Sequence, residues 1–194
     1  LDKFLIDRRF FNPLAYTFWL GVLGIFAFVL LPFGFQVVHL NIVALAILAG
    51  VFFILAMLFL FYGLDRSEAS HVLPAVGGIS PIFTLILGYF FLGLWLGAGE
   101  FAAFLLLILS ALIIFLTDKK GSRKISFFLI LASAFFFGVS NILSKIVFEN
   151  SNFITGFFWI KIGGLFFSLM FLLFRKYRED ILSSLNRAHN KNHF

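Results

Sequence analysis

The sequence predicts an all-α integral membrane protein whose six visible transmembrane helices are parts of an inverted repeat. Three observations lead there. Of the 194 residues, 62% are hydrophobic and 12% charged, about half the charged share of a soluble domain, so bilayer hydrocarbon has to be the solvent. Six apolar stretches approach the roughly 20 residues that an α-helix needs to cross about 30 Å of hydrocarbon. Finally, residues 12–31 and 152–171 read as one helix written twice. At an offset of 140, Asn12 aligns with Asn152, Phe18 with Phe158, Trp19 with Trp159, Gly24 with Gly164 and Phe26 with Phe166. Just upstream, with two residues of slippage, Leu1-Asp2-Lys3 lies over Leu143-Ser144-Lys145.

The expected spans are residues 14–33, 42–62, 72–94, 101–117, 125–147 and 154–174. Helix is the only reading for each, because an open sheet cannot satisfy its backbone in lipid. The first and last are the two repeat copies. The second is an unbroken apolar run, and the third is interrupted by Pro and Gly. The fourth is the shortest; it follows Glu100, with a start as early as Gly97 in view. The fifth mixes Ser, Asn and Lys into its apolar residues, and the short connections predict that successive helices are antiparallel neighbours.

The basic residues orient the spans. Of the 15 Lys and Arg residues, all but Lys145 and Lys161 fall before the first span, between the second and third, between the fourth and fifth, or after the sixth. The intervening segments hold none. The positive-inside rule then puts both visible ends in the cytoplasm and the protein, multi-pass, in the cytoplasmic membrane. The same pattern tests the repeat. Arg8 and Arg9 precede the first copy, whereas Glu149-Asn150-Ser151 precedes the second; no basic residue follows the first, whereas Arg175-Lys176 follows the second. Equivalent ends lie on opposite sides, as an odd number of intervening spans requires and as inverted-repeat transporters are built.

The chain divides accordingly. Residues 1–117 read as a first repeat lacking most of its first helix, 118–124 as a basic cytoplasmic linker, and 125–194 as the start of a second repeat with two helices and a tail. A helix ahead of Leu1 is expected, because Lys145 at the end of the fifth span finds its counterpart in Lys3. Cys is absent, which excludes disulfides, thiolate metal sites and Cys nucleophiles. The net charge of +6 reads as topology signal rather than as nucleic-acid affinity. No P-loop, metal-spaced His set or intramembrane Ser-His pair is visible, so an enzyme is not expected, nor a metal or cofactor.

Candidate functional residues lie in three spans. In the third, Pro74, Gly77, Gly78 and Pro81 fall within eight positions. Pro removes a backbone donor and Gly removes side-chain restraint. A mobile hinge at Pro74, Gly77 and Gly78, with Ser80, Pro81 and Thr84 on a substrate path, is one reading; close packing through small residues is the other. In the fifth, Ala134, Gly138, Asn141 and Lys145 share a face, with Ser140 and Ser144 beside it. That stripe lines a path, or else Asn141 is interhelical glue and Lys145 snorkels to the interface. In the sixth, Lys161 sits about seven residues in, roughly 10 Å deep, on one face with Gly164 and Ser168. A charge at that depth calls for water, an acidic partner or an anion. Lys161 is either a substrate or gating contact, or it snorkels. Trp19 and Trp159 read as packing anchors or cavity walls, and His71 as interfacial.

Three stretches resemble the EamA family of the drug/metabolite transporter superfamily. Gly138-Val139-Ser140-Asn141-Ile142-Leu143-Ser144-Lys145 is similar to that family's first-helix pattern. Ser80-Pro81-Ile82-Phe83-Thr84, followed by Leu92-Gly93, resembles its fourth-helix signature, and residues 101–117 fill the place of its fifth helix. The resemblance implies helices two to seven of a ten-helix, five-plus-five bundle and an Arg-bearing region around Lys161. Where the family has Glu after the fourth-helix Leu-Gly, this chain has Leu94. It also implies a secondary transporter or efflux carrier of small metabolites or amphipathic organic molecules, working by alternating access. The alternatives are a lipid-linked sugar flippase and a non-catalytic membrane scaffold or subunit. Expected partners are the lipid bilayer and a small-molecule substrate, with a homodimer left open and nucleic acid not among them.

Overall fold

Asn12 opens the first helix: its side-chain oxygen accepts from the backbone N–H groups of Leu14 (3.0 Å) and Ala15 (3.3 Å). Pro13 follows at the first helical position, where its missing donor costs nothing. This is the start of a computed structural model that describes residues 12–93, 95, 97–117, 123–175, 177 and 178. Lys3, Arg8, Arg9, Lys119, Lys120 and Leu94 lie outside the described residues.

Six α-helices occur among the described residues: α1 (Pro13–Val22), α2 (Leu40–Arg66), α3 (Ala69–Leu92), α4 (Ala98–Thr117), α5 (Arg123–Glu149) and α6 (Phe153–Met170). Helix α1 continues as an eleven-residue 3-10 segment, Leu23–Phe33, that ends at Gly34 with φ of 124°. Five helical stretches are long and apolar enough to cross a membrane: Pro13–Phe33, Leu40–Arg66, Ala69–Leu92, Phe127–Glu149 and Phe153–Leu173. Within α4, the stretch Ala98–Ser110 is a shorter apolar helix. Helix α3 runs through Pro74 and Pro81 without a break in its helical assignment.

The packing order corrects one expectation. Sequence neighbours α2 and α3, and α5 and α6, touch little, whereas α2 packs against α5 and α6, and α3 against α5. Helix α1 lies on α6 and α2, and α4 rests on α3. Small residues decide these partners. Ala46, Ala49, Gly50 and Ala56 are buried along α2, and a Cβ on Gly50 would overlap the Ile160 carbonyl oxygen of α6. A Cβ on Gly163 would overlap the Ile47 backbone in the same way. Short loops fix the direction of successive helices but not their contact, and close backbone approach goes where both faces are small.

Hydroxyls fasten the α2–α5 pair. Ser133 Oγ donates to the Ala56 carbonyl and Ser140 Oγ to the Ala49 carbonyl, each at 2.9 Å. The two bonds lie seven residues apart on both helices, two turns along an antiparallel seam. The other buried hydroxyls, Thr17, Thr155 and Ser168, also donate to backbone carbonyls, as polar groups without water must. Apolar packing completes the bundle in two clusters, one of Leu60, Val72, Ala75, Val76, Ile130 and Ala134, the other of Leu14, Phe18, Ile54 and Phe171.

Candidate functional site

Where α1 with its 3-10 extension, α2, α5 and α6 converge, Gly21, Gly24, Gly50 and Gly164 bring the helices into close contact, and a gap is left beside those contacts. The result is a cavity of about 280 Å³. Gly21, Gly24, Gly50 and Gly164 line it, together with Phe53, Ile54, Phe148, Phe157 and Ile160. Its polar lining consists of Ser140, Asn141, Ser144 and Lys161.

Lys161 is the one charged residue in that lining among the described residues. Its Nζ lies 5.2 Å from the ring centroid of Phe53 on α2 and 5.1 Å from that of Phe157 on α6. Both distances fall within the reach of cation–π attraction. Lys145, by contrast, has an acidic neighbour: its Nζ is 3.7 Å from Glu149 one turn on, both side chains being substantially exposed.

The other sequence candidates fall into two groups. Ser140, Asn141, Ser144, Lys161 and Gly164 come together in the cavity wall. Ser140 already spends its proton on Ala49, leaving its oxygen as an acceptor. Asn141 Nδ2 lies 3.4 Å from Thr84 Oγ1, which itself donates to the Ser80 carbonyl at 3.0 Å. Thr84 and Ser80 therefore stand behind the wall, outside the lining. Ser168 is buried against Gly164, donating to its carbonyl at 2.9 Å. Lys145, Pro74, Gly77, Gly78 and Pro81 do not line this cavity.

Sequence reasoning missed the aromatic clasp. Nothing distinguishes Phe53 and Phe157 among 32 Phe residues. It also missed a strap at the end of the bundle where α1 hands over to α2. Asn152 Nδ2 donates to the Gly34 carbonyl at 2.6 Å, and the Gln36 N–H donates to Thr155 Oγ1 at 2.8 Å. Asn152 also caps α6 by accepting from the Thr155 N–H at 2.8 Å. Phe35 packs edge-on against Phe158, ring centroids 5.4 Å apart, and tilts against Trp159 at 6.4 Å. The alignment of Asn152 with Asn12 was a usable signal for the cap, since each caps its helix, but nothing marked Gly34 and Gln36 as its partners.

The spans and the cavity among them define a multi-pass α-helical membrane protein. The model of the EamA-like transporter family matches residues 4–116, more than half of the chain, and the chain belongs to that family, part of the drug/metabolite transporter superfamily. The matched range holds Ser80 to Thr84; Gly138 to Lys145 lies beyond it. No curated protein and no solved structure matches the chain.

Proposed function

We propose that this protein is a secondary transporter of small metabolites or amphipathic organic molecules, and that the cavity between α1, α2, α5 and α6 belongs to its substrate path. The observation that carries the proposal is Lys161, held inside the spans on the cavity wall. A lysine near the centre of a span costs about 2.5–3.5 kcal/mol on insertion scales. Two exposed-type cation–π contacts return about 0.5–1 kcal/mol each. The remainder is a standing cost, which a structural lysine would have no reason to carry.

Alternating access between inverted repeats fits the same site. The repeat-related segments, α1 with its 3-10 extension and α6, form two of its walls, and transporters of that plan bind substrate where the repeats meet. The strap between Gly34–Gln36 and Asn152–Thr155 then closes one end of the path. By the distribution of Lys and Arg, that end faces away from the cytoplasm.

Substrate-dependent flux through the complete protein in proteoliposomes tests the proposal. Transport is expected in the native protein and loss of most of it in Lys161→Leu. Flux undiminished by that change removes Lys161 from the path. Absence of flux for every organic solute tried favours a scaffold.

A further inference from the structure

An aromatic cage ordinarily recognises a cation brought by a ligand. Here the cage is already filled by the protein's own cation, since Phe53 and Phe157 both face Lys161 Nζ. A cationic ligand would therefore meet a fixed positive charge with no carboxylate to offset it among the described residues of the lining. The ammonium group carries three N–H donors, and ring faces attract its charge without supplying the lone pair of an oxygen. An anionic oxygen is what the site lacks.

Two further features narrow the anion. Among the described residues the lining offers one cation, with no Arg and no second Lys, which suits a single charge; dianionic phosphate groups are typically gripped by guanidinium forks or several cations. The remaining wall is apolar on several sides, through Leu20, Ile54, Phe148 and Ile160, and so asks for an apolar body. A cavity of about 280 Å³ lies just under the range of drug-sized pockets. At about 30 Å³ for each water displaced, it holds a molecule on the order of ten heavy atoms.

We propose that the cavity binds a small organic monoanion, a carboxylate with an aromatic or branched aliphatic body. Its charged end meets Lys161, with Asn141 and Ser144 beside it, and its body lies against Phe148, Ile54 and Leu20. This rests on the reading of the cavity as a substrate path and adds the class of substrate.

The test uses the complete protein in phosphatidylcholine liposomes and three probes with one body: phenylacetate, phenylacetamide and phenethylamine. Equilibrium binding of labelled phenylacetate is measured first, with the other two as competitors. Saturable binding is expected, with the amide and the amine each weaker by roughly tenfold or more, the worth of one charge-assisted contact. Lys161→Gln should abolish that preference and Lys161→Arg should keep it, with thermal melting confirming that both variants fold. Equal competition by all three probes, absence of saturable phenylacetate binding, or an unchanged preference in Lys161→Gln overturns the proposal. Displacement of phenylacetate by phosphatidylglycerol added to the bilayer would assign the anion site to a lipid headgroup and overturn it too. Flux is read separately. Charge-selective binding without flux supports the site while removing the transport reading, and flux of all three probes without preference does the reverse.

Discussion

Gly24 lies against the backbone of Lys161: a Cβ placed on it would come 2.9 Å from the Lys161 carbonyl oxygen. One turn back, a Cβ on Gly21 would come 3.1 Å from the Gly164 carbonyl oxygen and would overlap Ser168 Oγ. In the alignment at an offset of 140, Gly24 is the counterpart of Gly164 and Gly21 of Lys161. The two contacts therefore exchange partners, as contacts across a two-fold axis do. The charge on the cavity wall thus stands on the helix pair through which such an axis would pass.

Substituting Gly24 by Ala or Val should destabilise the protein by about 1–3 kcal/mol, because the obstacle is a backbone carbonyl rather than a movable side chain. Gly77 is the control, since a Cβ there meets nothing within 4 Å. Gly77→Ala should be neutral or slightly stabilising, by up to about 1 kcal/mol. Thermal melting of the two variants in one detergent makes the comparison. Equal losses in both would mean that α1 and α6 approach less closely at Gly24 than the 2.9 Å to the Lys161 carbonyl requires.

Lys161→Met should raise the stability of the ligand-free protein while removing anion binding. The lysine's insertion cost exceeds what the two rings return by about 0.5–2.5 kcal/mol, and Met occupies a similar length without charge. A variant that melts below the native protein would instead make Lys161 a structural residue.

Ser133→Ala and Ser140→Ala should each cost about 0.6 kcal/mol, the average for interhelical bonds in membranes, and about twice that in combination, since two turns separate them. If Ser140 serves only as a fastener, Ser140→Ala leaves probe affinity within about twofold. A loss as large as that of Lys161→Gln would mean that the Ser140 hydroxyl turns from Ala49 to donate to the bound carboxylate.

The strap can be locked directly, because the chain has no native Cys. In a Gln36→Cys, Thr155→Cys double variant, where the Gln36 backbone N–H now donates to Thr155 Oγ1 at 2.8 Å, oxidation is expected to cross-link the two positions, read as a mobility shift lost on reduction. Flux should stop and return on reduction. Full cross-linking with flux intact would show that this end of the bundle does not open during transport.

Five of the six expected spans were legible in the sequence for a simple reason: bilayer thickness dictates span length, and long apolar runs can be found without knowing what they touch. Asn12 and Asn152 were readable as equivalent residues, and each caps its helix. The partners of α2 were not readable. Ala46, Ala49 and Gly50 make a face that any small-residue helix could meet, and the choice of α5 and α6 depends on Ser133, Ser140 and Gly163 arriving at matching heights. Asn141 and Lys161 stood out because polarity is rare in lipid, so the polar half of the cavity could be named. The aromatic half could not, for a Phe facing a lysine and a Phe facing lipid look alike in a linear chain. Nor did apolar content distinguish the 3-10 winding of Leu23–Phe33 from an α-helix.

That winding has a consequence in length. A 3-10 helix rises about 2.0 Å per residue and an α-helix about 1.5 Å, so the eleven residues of Leu23–Phe33 hold about 5 Å of extra reach. Rewound as α-helix, the segment would draw Gly34 back by that amount, about one helical turn. The hydrogen bond from Asn152 to Gly34 spans 2.6 Å and could not follow. A change of pitch in one stretch of chain is thus long enough, by itself, to pull the strap off its anchor, and paired spin labels at Leu23 and Phe33 would read the shortening as a distance.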